Sequence, residues 1–252
     1  MALSKSLYPA VLVNYLTEKF NLYETKARLA SAVLHSKAQK CKTPRDYVTL
    51  SNKVFSQAPL KYIGWPIKAA QVPQEIETLL HKVKELDVKN MLEIGSYTGG
   101  TLFMFTRMVN PKAKIISLDL PEKNLATQYV KIQRTLFANF ARKEQTVYSL
   151  KEDSHLRSSL RKVELILAGK QLDFIFIDGD HSYEGVKKDF ELYSPLVRKG
   201  GIVAFHDICK HPPEMGVQVD QFYEELKAHY RHEEIIAEPE TQKWAGIGVI
   251  YM

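Results

Sequence analysis

From about residue 88 onward, short apolar runs rich in β-formers alternate with stretches whose apolar positions recur at helical spacing. The runs are "NMLEIG" (90–95), "KIISLD" (114–119), "TVYSL" (146–150), "LDFIFID" (172–178), "GIVAFHD" (201–207), "EEIIAE" (233–238) and "GIGVIYM" (246–252). "TLFMFTRMV" and "EGVKKDFELYSPLV" are two of the helical stretches between them. Strands that are apolar almost throughout, separated by helices, predict an α/β doubly wound architecture with a mainly parallel sheet covered on both faces. Only about seven residues separate the last two runs. That is too short for a helical crossover, so the final strand is expected to lie antiparallel to its neighbour.

Residues 1–72 read differently. "AVLVNYLTEKF" and "YETKARLASAVLHSKAQ" have helical periodicity, and "QAPLKYIGWPIKAAQVP" carries three prolines and reads as a connecting loop. "PQEIETLLHKVKEL" opens on Pro73, which suits a first helical turn, and leads into the first strand. The expected organisation is a helical N-terminal extension over 1–72, serving as a lid or as a contact in a homo-oligomer, and an α/β domain over 73–252.

Composition bounds the function. A chain of 252 residues with 45% hydrophobic and 25% charged residues holds one large domain with an appended segment. Cys41 and Cys209, the only cysteines, form no CxxC pair and no ligand spacing with histidines, which fits a reducing compartment. The N-terminus lacks the form of a signal peptide, and no later stretch reaches the ~20 apolar residues of a membrane span. A cytoplasmic protein without a membrane partner is expected. The net charge of +6 suggests an anionic ligand or partner, but the basic residues are scattered, so RNA binding stays a minor reading.

"LEIGSYTGGT" (92–101) lies where the first strand meets its helix. Its glycines allow a tight turn and close approach of a ligand to the helix N-terminus, the expected crevice of such a sheet. The pattern is Glu93 followed by Gly-x-x-x-Gly, not the GxGxxG dinucleotide fingerprint. A carboxylate there repels a pyrophosphate and tolerates a ligand bearing a positive amino group. Asp119, ending the second strand, suits a pair of ribose hydroxyls. Asp153 and Ser154 follow the third strand, where they also suit a helix N-cap.

With these residues in view, the chain from about 88 to 252 resembles the class I S-adenosylmethionine-dependent methyltransferases, with "EIGSYTGG" as the glycine motif. The stretch "FIDGDHSYEGVKKDFELYSPLVRKGGIVAFHDI" is similar to a bacterial and archaeal group near the sugar and macrolide O-methyltransferases, often labelled cephalosporin-hydroxylase-like. The resemblance implies a seven-stranded mixed sheet in the order 3-2-1-4-5-7-6. It also implies S-adenosyl-L-methionine as cofactor. Glu93, Gly95, Ser96 and Gly99 would hold the methionine end, Asp119 the ribose, and Asp153 with Ser154 the adenine, with Tyr97 and Asp178 also at the cofactor.

"FIDGDHSYEG" (176–185) packs Asp178, Asp180, His181 and Glu184 into seven positions after an apolar run. Adjacent parallel strands deliver their ends to the same edge, so Asp178 should converge with His206 and Asp207. Several charges there are costly unless used. The resembling enzymes place a divalent metal at that edge, implying Asp178, His206 and Asp207 as ligands for magnesium or manganese, although His206 stands where an acid is usual. His181 matches the general base of some of these enzymes and Asp180 that of others. Ser182 and Glu184 read as helix-capping residues, and His155 and His211 as surface or capping residues. The expected activity is O-methylation of a small hydroxylated acceptor, such as a sugar, polyketide or phenol. The alternatives are a nicotinamide-dependent oxidoreductase or an RNA-binding protein. Nucleic-acid amino-methyltransferases carry an Asp/Asn-Pro-Pro-aromatic motif where this chain has "IDGDHS".

Overall fold

A computed structural model describes residues 22–53, 67–120, 127–142 and 144–252. The predicted helix "AVLVNYLTEKF" lies outside them. The described elements are α1 (Tyr23–Ala38), α2 (Pro44–Lys53), α3 (Pro73–Glu85), β1 (Asn90–Ile94), α4 (Gly100–Met108), β2 (Lys114–Asp119), α5 (Thr127–Ala138) and β3 (Thr146–Lys151). They continue with α6 (Arg157–Leu167), β4 (Leu172–Ile177), α7 (Tyr183–Tyr193), β5 (Val197–His206), α8 (Val219–Lys227), β6 (Arg231–Ile235) and β7 (Ile247–Tyr251).

The strands form one seven-stranded sheet in the order β3-β2-β1-β4-β5-β7-β6. β1 to β5 are parallel, and β7 runs antiparallel between β5 and β6. Order and directions are those expected from the runs and the resemblance. The sixth run differs in extent. β6 begins at Arg231, earlier than the apolar run, because an edge strand keeps exposed polar residues and lacks the continuous apolar signature of a central one.

The alternation of side chains across each strand divides the core in two. Met91, Ile115, Phe174 and Ala204 face the layer formed by α1 to α5. Leu92, Ile94, Ile116, Ile175 and Phe205 face α6, α7 and α8. Glu93 falls on the same face as Met91, in register with Ser117 of β2. The described part of the N-terminal extension joins this first layer, with Ala27, Leu34 and Val48 in the same cluster as Phe103 and Phe137. Among the described residues no helix is long and apolar enough to cross a membrane.

Pro73 opens α3 as expected. Two residues on, the buried Glu75 gathers the β6–β7 connection. Its Oε1 accepts from Ala237 N at 3.0 Å and Gln242 Nε2 at 2.6 Å, and its Oε2 from Gly246 N at 3.0 Å. Glu75→Ala leaves these donors without their acceptor and should lower unfolding stability by about 3 kcal/mol, read as a lower denaturant midpoint at unchanged slope.

Candidate active site at the carboxyl edge

The glycine turn is shaped by what lies against it. Gly95 has φ +82°, and a Cβ there would sit 2.0 Å from the Asp178 carbonyl oxygen, so the turn packs directly on the end of β4. Gly100 is crossed by the chain entering α3, because a Cβ there would sit 2.3 Å from Ala69 N. Thr98 fastens this crossing strap, accepting from Lys68 N at 3.0 Å and donating to Lys68 O at 2.9 Å. Tyr97 is exposed, with φ +44°, and its carbonyl accepts from Gln133.

Glu93 lies beneath this turn, on the buried face of β1. It is fully buried, with Ser96 Oγ donating to Oε2 at 2.6 Å and lying 2.7 Å from Ser117 Oγ, and Oε1 has no hydrogen-bond partner among the described residues. Burial pushes its carboxyl up to about 8, against the hydrogen bonds from Ser96 and Thr101. Glu93 and Ser96 thus form a buried hydrogen-bonded pair that supports the turn. Counting two residues on from Met91 was enough to place Glu93 on a buried face.

A cavity of about 530 Å³ runs along the edge from Ala70 and His181 past Gly95 to Asp119, Asp153 and His155. Asp119 is held by Lys151, whose Nζ donates to Oδ2 at 2.9 Å from the register-paired position on β3. Asp153 and Ser154 are not the cap of α6; the residue before the helix is Leu156. Asp153 Oδ1 instead accepts from His155 N at 2.8 Å, and Ser159 Oγ donates to Asp153 O at 2.7 Å, so the helix starts later.

Asp178, His206 and Asp207 do converge, with His181 beside them. His206 Nδ1 is 3.1 Å from Asp178 Oδ1 and 3.3 Å from Asp207 Oδ1. His181 Nε2 is 3.3 Å from Asp178 Oδ1 and 3.6 Å from Asp207 Oδ2. Burial works to raise Asp178, but the His206 charge and the two imidazole hydrogen bonds outweigh it and hold its carboxyl down to about 2. Burial alone would lower His206, yet the two carboxylates push it up to about 10. The hydrogen bond to Asp178 raises His181, against its own burial. Asp207 sits at φ +64°, in the left-handed region that non-glycine residues seldom adopt.

Asp180 lines the cavity but is tied into its own turn, accepting from Ser182 N at 2.9 Å. Ser182 caps α7 by accepting from Gly185 N, as expected. Among the described residues, ligand atoms of Asp178, His181 and Asp207 lie within 4.8 Å of one another in a group that could hold a metal ion, and His206, expected in that set, is not part of it. His206 is turned between the carboxylates, and its buried Nε2 has no partner among the described residues.

Three residues here were missed in the sequence. Gln71, in the strap, donates to Asp178 Oδ2 at 2.6 Å, and nothing in its local pattern signals this. His211 is buried, not exposed, donating from Nδ1 to Cys209 O at 2.7 Å and accepting from Ala245 N at Nε2. Asp189 is fully buried on α7, in step with the apolar Val186, Phe190 and Tyr193; a charge on the inner face of a helix was the available signal.

Residues 92–208 match a family described as "Methyltransferase domain". The chain carries a methyltransferase domain. It is 33% identical over 129 residues to an uncharacterised protein of Acanthamoeba polyphaga mimivirus, an alignment covering 49% of this chain and 53% of that protein. It is 32% identical over 132 residues to "Probable caffeoyl-CoA O-methyltransferase 3" of Dictyostelium discoideum, covering 52% of this chain and 47% of that protein. The chain thus spans about half the length of the curated relatives it matches. Among solved structures, an O-methyltransferase from Bacillus cereus in complex with S-adenosylhomocysteine superposes with a TM-score of 0.56 at 18% identity, covering 90% of this chain and 100% of that one. An O-methyltransferase from Streptomyces achromogenes involved in tomaymycin synthesis, in complex with S-adenosylmethionine, gives 0.55 at 15% identity, covering 89% and 97%. Both share the fold of the methyltransferase domain.

The buried Glu93 of this domain predicts a pH dependence of stability. Its folded carboxyl takes up a proton far more readily than the ordinary glutamate near 4.5, titrating at about 8. The stabilisation it gives is complete below pH 4.5, declines as pH rises and is gone above about 8. Glu93→Gln should remove a decline of up to ~1.4 kcal/mol per pH unit in that window, seen as a flatter melting temperature from pH 5 to 8.

Proposed function

We propose that the protein transfers a methyl group from S-adenosylmethionine to a hydroxyl of a small acceptor, such as a sugar, polyketide or phenol. The observation that carries this reading is the cavity in which His181 and Asp178, Gly95, Asp119, and Asp153 with Ser154 follow one another along one sheet edge. Five carboxylates line it, those of Asp119, Glu152, Asp153, Asp178 and Asp180, in a chain of net charge +6. Such a lining favours a sulfonium and an ammonium over the pyrophosphate of a nicotinamide dinucleotide or the phosphates of RNA. This replaces Glu93 as the reason to disfavour dinucleotides, since Glu93 is buried beneath the turn.

In this reading Lys151 occupies one oxygen of Asp119 and leaves the other for the ribose hydroxyls. The acceptor oxygen attacks the methyl carbon in line as the carbon–sulfur bond breaks, and S-adenosylhomocysteine leaves. The acceptor proton passes to His181. Nε2 of His181 faces the two carboxylates, so Nδ1 receives that proton, and Asp178 and Asp207 stabilise the imidazolium that forms.

Two carboxylates and an imidazole, from Asp178, Asp207 and His181, also fit a divalent ion, with manganese, iron and zinc suited better than magnesium. Bound there, such an ion would lower the pKa of the acceptor hydroxyl and orient it. As a ligand His181 is no longer free to be the base, so the two roles exclude each other.

Calorimetric titration should show micromolar binding of S-adenosylhomocysteine and none of NAD; the reverse would overturn the reading. His181→Ala should bind S-adenosylhomocysteine within about twofold of the parent and lose roughly 10²–10⁴ in turnover. Turnover that persists in chelator but not in this variant assigns His181 as base. Unchanged turnover in the variant removes it from the mechanism.

A further inference from the structure

The buried groups that the proposed reaction leaves unused converge on the far end of the cavity. Helix α7 turns Gly185, Asp189 and Tyr193, spaced four residues apart, toward the segment after β3. Tyr193 Oη donates to Ser154 O at 2.7 Å. His155 Nε2 donates to Gly185 O at 3.2 Å, and Asp189 Oδ1 lies 3.5 Å from the same nitrogen. Asp189 is fully buried, and the His155 imidazole is an ionisable partner that it faces. A buried carboxylate is costly unless it is partnered, so a purely packing role would be served better by an apolar residue.

The His155 ring is oriented by these contacts. Two acceptors face Nε2, which keeps its proton there and leaves Nδ1 as an acceptor. Asp153 Oδ1, 3.9 Å from Nδ1, already accepts from His155 N. His155 lines the cavity together with Asp153 and Ser154.

We propose that His155 Nδ1 accepts a hydrogen bond from the exocyclic amino group of the cofactor's purine, and that Asp189 is the positioning residue that holds the ring for it. The inference rests on the cavity binding S-adenosylmethionine. It gives the site a preference for a 6-aminopurine, which presents a donor, over a 6-oxopurine, which presents an acceptor to an acceptor.

The test is calorimetric titration of the full chain with S-adenosylhomocysteine and with its deaminated counterpart, S-inosylhomocysteine. The parent should prefer the adenine form, and His155→Ala should cut that preference by about tenfold, one hydrogen bond's worth of discrimination. Asp189→Asn should weaken S-adenosylhomocysteine binding several-fold without lowering the melting temperature, and should add nothing in the His155→Ala background. His155→Gln provides a second reading of the preference should the alanine variant fold poorly. An unchanged preference in both His155 variants overturns the proposal. An Asp189→Asn effect that persists in the double variant, or that tracks a fall in melting temperature, overturns the positioning role. Failure of the parent to bind S-adenosylhomocysteine overturns the cofactor reading itself, and this inference with it.

Discussion

Two carboxylates, Asp178 and Asp207, stand at the ends of adjacent parallel strands, close enough that burying both would be prohibitive without a cation between them. His206 supplies it. Its charge keeps both acids ionised, and they in turn keep the imidazole protonated far above its ordinary range. The arrangement follows from topology. Parallel pairing of β4 and β5 brings Asp178, one residue past the end of β4, beside the last residue of β5. The left-handed backbone at Asp207 then turns its carboxylate back toward the same point.

Around that ion cluster the chain is drawn in from distant places. Gln71 reaches Asp178 from the strap, and the strap is fixed to the glycine turn by Thr98 and to α2 by Asn52, whose Oδ1 accepts from Ala69 N at 3.3 Å. Helix α2 is thus joined through the strap to the proposed reaction centre.

Much of this was legible in the sequence. Continuous apolar runs marked the central strands, and the end of each run marked the residues that converge at the edge, which is why Asp178, His206 and Asp207 could be grouped without coordinates. The edge strand β6 was blurred because half of it faces solvent. Individual roles were harder to read. Glu93 looked like a ligand contact because it adjoins the glycine turn, but strand alternation buries it. Asp153 and Ser154 looked like a helix cap because of their residue types, yet local hydrogen bonds delay the helix to Arg157. Gln71 and Asp178 are brought together only by the tertiary fold, and no local pattern carries that information.

The reversed direction of β7 has its own consequence. Ile247 begins that strand opposite His206, the last residue of β5, and Ala245 and Gly246 continue the pairing with Cys209 and Ile208. The connection anchored by Glu75 thus emerges on the same rim as the ion cluster, on the side away from β1, β2 and β3. The rim is divided between a half built from the early strands and a half built from the late ones, with β4 as the partition. Lengthening the late connection would therefore change the rim on its own side of β4 and leave the turns after β1, β2 and β3 as they are.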